Sequence, residues 1–281
     1  MIMLLLLAGV FSALSFPIAA SEKELLEAID AGNVQKVSEL LKNNPKLANE
    51  DMDSRGTPIL YSLINKRYKI AAEIIEAGAD PKVKDHRREN AFHYIAKAAP
   101  FAAADLEQAL GLIKTLKEKG VPINEYSKFG KTPIHFLVLT LVPPKSIPNS
   151  RSVLEAMLAA GANPKLELTN EPRIPLVMLT INDLKMGGAS APSSFELLKV
   201  LIEKGYDVNV TDVEKRTALM LLLMATTIKD EKKIEVATFL MEHNADVKYK
   251  NKKDETALKM VDKNSPLYEL LKNPQKQGKQ K

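Results

Sequence analysis

The chain has no cysteine and no tryptophan, and aromatic residues make up only 5% of it. Without cysteine there are no disulfides and no thiolate-held metal, so an oxidising compartment is permitted but not demanded. Glycine is scarce as well, 12 of 281 residues. None of these glycines sits in a phosphate-cradling loop that ends in Lys-Ser or Lys-Thr, and His-Glu-x-x-His and Gly-x-Ser-x-Gly are missing too. The usual sequence marks of nucleotide, metal and serine chemistry are therefore absent.

What the chain has instead is repetition. Thr57-Pro58-Ile59-Leu60 returns as Asn90-Ala91-Phe92-His93, Thr132-Pro133-Ile134-His135, Ile174-Pro175-Leu176-Val177, Thr217-Ala218-Leu219-Met220 and Thr256-Ala257-Leu258-Lys259, at spacings of 33, 42, 42, 43 and 39 residues. A second marker keeps the same register: Gly78-Ala79-Asp80, Gly120-Val121-Pro122, Gly161-Ala162-Asn163, Gly205-Tyr206-Asp207 and Asn244-Ala245-Asp246. Two markers in step describe stacked units that present one long surface, not a single globule.

Each unit begins a short helix at Thr-Pro, where Thr can cap and Pro suits the first turn. A second apolar run at helical spacing follows, as at Ala71, Ile74 and Ile75, and the glycine marker ends it in the left-handed conformation. Polar tips such as Lys84-Asp85-His86-Arg87-Arg88 connect the units. Residues 21–49 hold two helical stretches without the Thr-Pro phrase, and the last unit ends at Leu267, Leu270 and Leu271. Atypical ends are expected of an array whose outer faces meet water.

The phrase, the glycine marker and the period together resemble the ankyrin repeat, with the best match at Gly130–His135 and Leu154–Asn163. The resemblance covers about residues 22–272 and implies an all-α, ankyrin-like solenoid of helix-turn-helix repeats with short hairpin tips, about seven units including caps. The expected division is a signal peptide at 1–20, an N-terminal capping repeat at 21–52, five inner repeats at 53–251, a C-terminal capping repeat at 252–272 and a disordered basic tail at 273–281. In the second unit Gly56 runs straight into Thr57 and Leu60 replaces His, so a shortened tip is expected there.

Residues 1–20 carry no charge; an apolar core from Leu4 to Phe11 is followed by Pro17-Ile18-Ala19-Ala20 and then Ser21-Glu22-Lys23-Glu24. That order reads as a secretory signal cleaved after Ala20, with an uncleaved membrane anchor as the competing reading. No Lys or Arg precedes the apolar core, a departure from the pattern, and no cysteine follows it to carry a lipid. The expected compartment is periplasmic or secreted. The net charge of +5 owes four charges to Lys272, Lys276, Lys279 and Lys281, which leaves a body near neutrality and not a nucleic-acid footprint. The tail reads as a solvated end, with contact to an anionic surface as the alternative.

Of the four histidines, His86, His93, His135 and His243, two lie in the repeat phrase. His93 and His135 could pass for a metal pair, but stacked helices stand roughly 8–10 Å apart, too far for two ligands on one ion. By resemblance their rings bond locally and tie units together. His243 suits the negative end of its helix. No cofactor, metal or catalytic set is expected, and the chain is not read as an enzyme.

By resemblance, a partner protein meets the tips and the exposed side of the first helices. The corresponding positions are His86, Arg87, Glu89 and Lys97 in the third unit, Lys128, Phe129, Lys131 and Thr140 in the fourth, Glu171, Arg173 and Asn182 in the fifth, and Val213, Glu214 and Arg216 in the sixth. Phe129 is either an interface anchor or packed on Tyr126. The stripe Tyr61, Tyr94, Phe136, Met178, Leu221 and Met260 reads as packing between first helices, with an aromatic groove as the alternative. Extra residues at 98–105, 141–150 and 182–194, and a smaller set at 226–233, fall between the helices of a unit. They are neutral insertions or a second contact ridge; Lys185 to Pro192 is expected as a flexible loop and Pro143, Pro144 and Pro148 as a stiffer one.

The expected function is a periplasmic protein-binding array that inhibits an enzyme, as a self-protection or immunity factor, with a peptidoglycan hydrolase as the preferred target. The alternatives are a scaffold that stabilises a periplasmic enzyme such as a catalase, or a secreted effector on a host protein. No nucleic acid or small-molecule substrate is expected, and membrane contact only through an uncleaved signal segment.

Overall fold

The computed structural model describes residues 20–52, 56–98, 103–139, 149–169, 174–186 and 191–273. The N-terminal segment up to residue 19 that was expected as a signal, Thr140, Glu171, Arg173, the stretches 99–102, 141–148 and 187–190, and the tail from 274 lie outside the described residues.

Thirteen α-helices and two 3-10 turns follow one another among the described residues. The first unit holds α1 (Ala20–Asp30) and α2 (Val34–Asn43), and a 3-10 turn at Pro45–Asn49 leads out of it. The five inner units are α3 (Pro58–Ile64) with α4 (Tyr68–Glu76), α5 (Ala91–Lys97) with α6 (Ala103–Glu118), α7 (Pro133–Leu139) with α8 (Ser150–Ala159), α9 (Leu176–Met186) with α10 (Ala191–Glu203), and α11 (Ala218–Leu223) with α12 (Asp230–Glu242). A 3-10 turn at Ala257–Met260 and α13 (Pro266–Lys272) close the array.

First helices pack on first helices, α1 on α3 and so on to α11; second helices pack on second helices from α2 to α10. The apolar residues of both rows join in one continuous core, in which Tyr68, Phe92, Leu112 and Met157 are buried. Burying such side chains stabilises by about 1.5–3 kcal/mol each, and each unit depends on its neighbours to do it.

The phrase residues act at the helix starts. Asn90 Oδ1 accepts from the Phe92 and His93 amides at 3.1 and 3.4 Å, and His93 Nδ1 accepts from the Asn90 amide at 3.1 Å. Thr132 donates its hydroxyl to His135 Nδ1 at 2.7 Å, and Thr217 Oγ1 accepts from the Met220 amide at 3.3 Å. Thr57 does not cap: Leu60 offers its hydroxyl nothing, and Thr57 Oγ1 is buried without a partner. At the other end, Gly78, Gly120, Gly161, Gly205 and Asn244 all have positive φ.

The tips repeat a closed turn. Asp85 N donates to Glu89 O at 3.0 Å, while Asp85 Oδ1 accepts from the Arg87 and Glu89 amides at 2.9 and 2.7 Å. Asp212 and Asn251 do the same for their own turns, and Ser127 Oγ accepts from the Phe129 amide. These oxygens hold Arg88, Lys215 and Asp254 in the left-handed region, where an L residue is strained by about 1–2 kcal/mol. Met52 N donates to Gly56 O, the same separation as Asp85 to Glu89; residues 53–55 of the second unit's tip lie outside the described residues.

A second bond set joins the loops that follow the second helices. Asn49, Asn124 and Asn209 each accept an amide proton from the next unit's loop and donate to its helix-ending carbonyl, at 2.7–3.2 Å. The alternate units carry Lys82, Lys165 and Lys248 in that place. At the Lys165 junction two open clefts of about 330 and 440 Å³ meet at Tyr206.

Among the described residues, the additions at 103–105, 182–186 and 191–194 are helical. α6 starts at Ala103 and runs 16 residues, α9 reaches Met186, and α10 begins at Ala191. Lys185, Met186, Ala191 and Pro192 therefore belong to helices, not to the flexible loop expected there. Longer helices bury more of the added chain than a loop would, and a Pro early in a helix carries no missing hydrogen bond. No helix among the described residues is long and apolar enough to cross a membrane.

Candidate protein-binding surface

The tips and the outer sides of the first helices carry the expected binding residues, in three different settings. His86, Arg87, Lys128, Phe129, Val213 and Glu214 are exposed. Phe129 shows 51% of its surface and Val213 47%, high for apolar residues on a closed turn. Lys97, Lys131, Asn182 and Arg216 are half-buried, Asn182 within α9.

Glu89 departs from the expectation. It is fully buried, with Oε2 2.7 Å from Lys97 Nζ and Oε1 without a partner. Its backbone closes the tip onto Asp85. The residue that follows Arg88 must turn the chain inward to start α5, so its side chain lies beneath the tip.

Adjacent tips are joined through the main chain. Lys128 N donates to Arg87 O at 2.8 Å, Thr169 N to Gly130 O at 3.1 Å and Lys252 N to Glu214 O at 3.1 Å. The exposed side chains thus stand on a preformed ladder, and little backbone freedom is lost on binding.

Beside the third and fourth tips lies an aromatic and cationic shelf. Lys97 Nζ is 5.7 Å from the Tyr94 ring centre and 5.2 Å from that of Phe136, and Lys131 Nζ is 5.9 Å from Phe136. Tyr94 donates its hydroxyl to Asp85 Oδ2 at 3.0 Å, and burial together with that carboxylate pushes its pKa up. Tyr61 donates to Asp30 at 2.8 Å. The stripe is divided: Met178 and Leu221 are buried, as packing predicts, whereas Tyr61, Tyr94, Phe136 and Met260 are half-buried and rest on the core. Sequence reasoning did not single out Asp85 or Ser127; a side-chain acceptor five residues before the phrase, at Asp85, Ser127, Asp212 and Asn251, was the available signal.

The histidines of the phrase face inward. His93 and His135 are fully buried. Burial lowers both pKa values to about 4, against which the Lys131 carbonyl raises that of His93. His93 Nε2 lies 3.4 Å from Lys131 O in the next tip, so this ring joins two units. His243 Nδ1 donates to Phe239 O at 2.8 Å at the end of α12. Among the described residues no three His, Asp or Glu gather in a way that could hold a metal ion.

No protein-family model matches the chain, and no curated protein sequence does. Solved structures do. The ankyrin repeat domain of Bcl-3, a member of the IkappaB protein family, superposes with a TM-score of 0.66 at 17% identity, over 89% of this chain and 97% of that one. An ankyrin repeat domain from Acinetobacter baumannii AYE gives 0.60 at 16% identity, over 80% and 100%. A chain of a Bdellovibrio bacteriovorus complex between a predatory endopeptidase and an immunity protein gives 0.47 at 21%, over 89% and 97%, a likeness too loose to carry an argument. Helix pairs stacked in two rows, closed tips in one register and these superpositions agree: the chain has the ankyrin repeat fold, an architecture that mediates protein–protein interaction.

Proposed function

We propose that this chain is an exported binding protein that restrains a periplasmic enzyme by covering its cleft, with a peptidoglycan hydrolase as the target. The observation that carries the binding reading is the half-exposed Phe129 on a tip whose backbone is fixed to its neighbour. Aromatic anchors on rigid loops are where interface energy concentrates. Tyr126, the alternative packing partner expected for Phe129, gives its hydroxyl to Glu167 O of the next unit. The exported setting is inferred from the uncharged N-terminal segment and its Ala-rich end, and the choice of an enzyme target follows from that compartment.

The test is dye release from labelled peptidoglycan sacculi by purified periplasmic hydrolases, with and without the chain. Stoichiometric loss of release is expected, and Phe129→Ala weakens it at least tenfold while leaving the melting temperature in place. Undiminished release with every hydrolase tried would sink the proposal. A longer enzyme half-life without inhibition points instead to a stabilising scaffold, and recovery of the chain only in the medium contradicts a periplasmic role.

A further inference from the structure

We infer that recognition is concentrated on the adjoining tips of the third and fourth units, which take a carboxylate-bearing face of a partner protein with an apolar recess for Phe129. This rests on the binding reading above and narrows it to one part of the array and one kind of partner chemistry.

The argument begins with the residue that closes each turn. In the third tip it is Asp85, whose Oδ1 is taken by two amides and Oδ2 by the Tyr94 hydroxyl. In the fourth it is Ser127, which carries no charge. Of the other described carboxylates at these two tips, Glu89 is buried against Lys97 and Glu125 is paired with Lys84. Arg87 and Arg88 on one tip and Lys131 on the other therefore make no ion pair among the described residues. In the sixth unit the same turn position behaves differently. Asp212 Oδ2 lies 2.7 Å from the Arg216 guanidinium, and Glu214 lies 3.6 Å from Lys252 of the following tip. The same fold position thus holds unneutralised cations at one place and internally paired ones at another. Exposed Val213 sits beside Asp212, Glu214 and Arg216, whose charges are engaged; Lys215 makes no ion pair among the described residues.

The arrangement also fixes the cations relative to the anchor. Lys128 N is bonded to Arg87 O, and Phe129 follows directly, held by its own amide on Ser127 Oγ at 3.2 Å. Arg87 and Phe129 therefore keep one mutual position before any partner arrives. Clustered cations on a preformed surface raise the local concentration of an acidic partner and orient it. A nucleic acid would want a long basic track that follows a backbone. Here the unpaired charge is local and centred on an apolar ring, which fits a folded protein face.

The experiment titrates hexaglutamate peptide into the 15N-labelled full chain and follows amide shifts, with hexalysine and a twelve-nucleotide single-stranded DNA as comparisons. Shifts are expected at Arg87, Arg88 and Phe129 to Lys131, weaker at 300 mM than at 50 mM salt. The triple variant Arg87→Glu, Arg88→Glu, Lys131→Glu should weaken hexaglutamate binding at least tenfold, and Lys215→Glu with Lys253→Glu should leave it within twofold. Matching melting curves would show that both variants are folded. Absent shifts, shifts centred on the sixth tip, an equal response to hexalysine, or tighter binding of the DNA would each overturn the inference. Shifts as expected alongside fully active hydrolases defeat the enzyme-restraint reading alone; inhibition without these shifts defeats this inference alone.

Discussion

Asn124 holds Asn163 of the next unit: its Oδ1 accepts the Asn163 amide at 2.7 Å while its Nδ2 donates to Gly161 O at 2.9 Å. One side chain thus satisfies a donor and an acceptor that the end of α8 leaves open. Asn124→Ala should cost about 1–2 kcal/mol, since the bonds are partly exposed and water replaces some of their worth. The converse change is Lys165→Asn, which places the same amide opposite Gly205 O and the Asp207 amide. It should raise stability by up to about 1 kcal/mol. Urea unfolding midpoints measure both, and a neutral Asn124→Ala would show that the clamp contributes nothing.

The buried imidazoles give a pH dependence with a definite sign. His93 and His135 hold pKa values of about 4 in the folded chain, whereas an unfolded histidine titrates near 6.5. Below that pH the unfolded state binds protons that the folded state refuses, so stability is complete above about pH 6.5 and declines as pH falls towards 4. Each depression corresponds to on the order of 3 kcal/mol. Melting temperatures between pH 8 and pH 4 should show the decline, and the variant His93→Gln with His135→Gln should flatten it.

At Thr57 the missing histidine leaves a correctable fault. Leu60→His should let an imidazole accept the Thr57 hydroxyl, as His135 does for Thr132. Glu89 precedes its phrase as Lys131 does, so by register its carbonyl is the expected acceptor for the new ring. A gain of roughly 0.5–1.5 kcal/mol is expected at pH 8, read from thermal melts. A lower melting temperature would mean that the apolar contacts of Leu60 outweigh the new bonds.

Glu89 and Lys97 separate a structural pair from a binding pair. Lys97→Ala strands a buried carboxylate and should cost about 2–4 kcal/mol, while Glu89→Gln combined with Lys97→Met should recover most of it. Equal losses in the single and double variants by urea unfolding would contradict this.

Much of the architecture was legible because a repeat reports itself many times. The Thr-Pro phrase and the Gly78, Gly120, Gly161 and Gly205 series mark helix starts and ends by conformational rules that recur along the array, with Asn244 in the glycine's place in the sixth unit. The binding surface was less legible, because exposure depends on geometry that a register does not encode. Glu89 and Arg87 stand two residues apart on one tip, yet the turn points one inward and the other outward. Lys185 and Pro192 read as loop from their composition, but the first continues α9 and the second stands in the first turn of α10, where a Pro fits. The Asn49, Asn124 and Asn209 series was present in the chain, though its partners lie some thirty to forty residues away, and only stacking brings them together.

The main-chain bond from Lys128 to Arg87 uses no side-chain atom. Exchanges at Arg87, Lys128 or Phe129 consequently leave the spacing between neighbouring turns unchanged. Target choice can be rewritten residue by residue along that edge, as letters are replaced on a ruled line, with the frame beneath undisturbed.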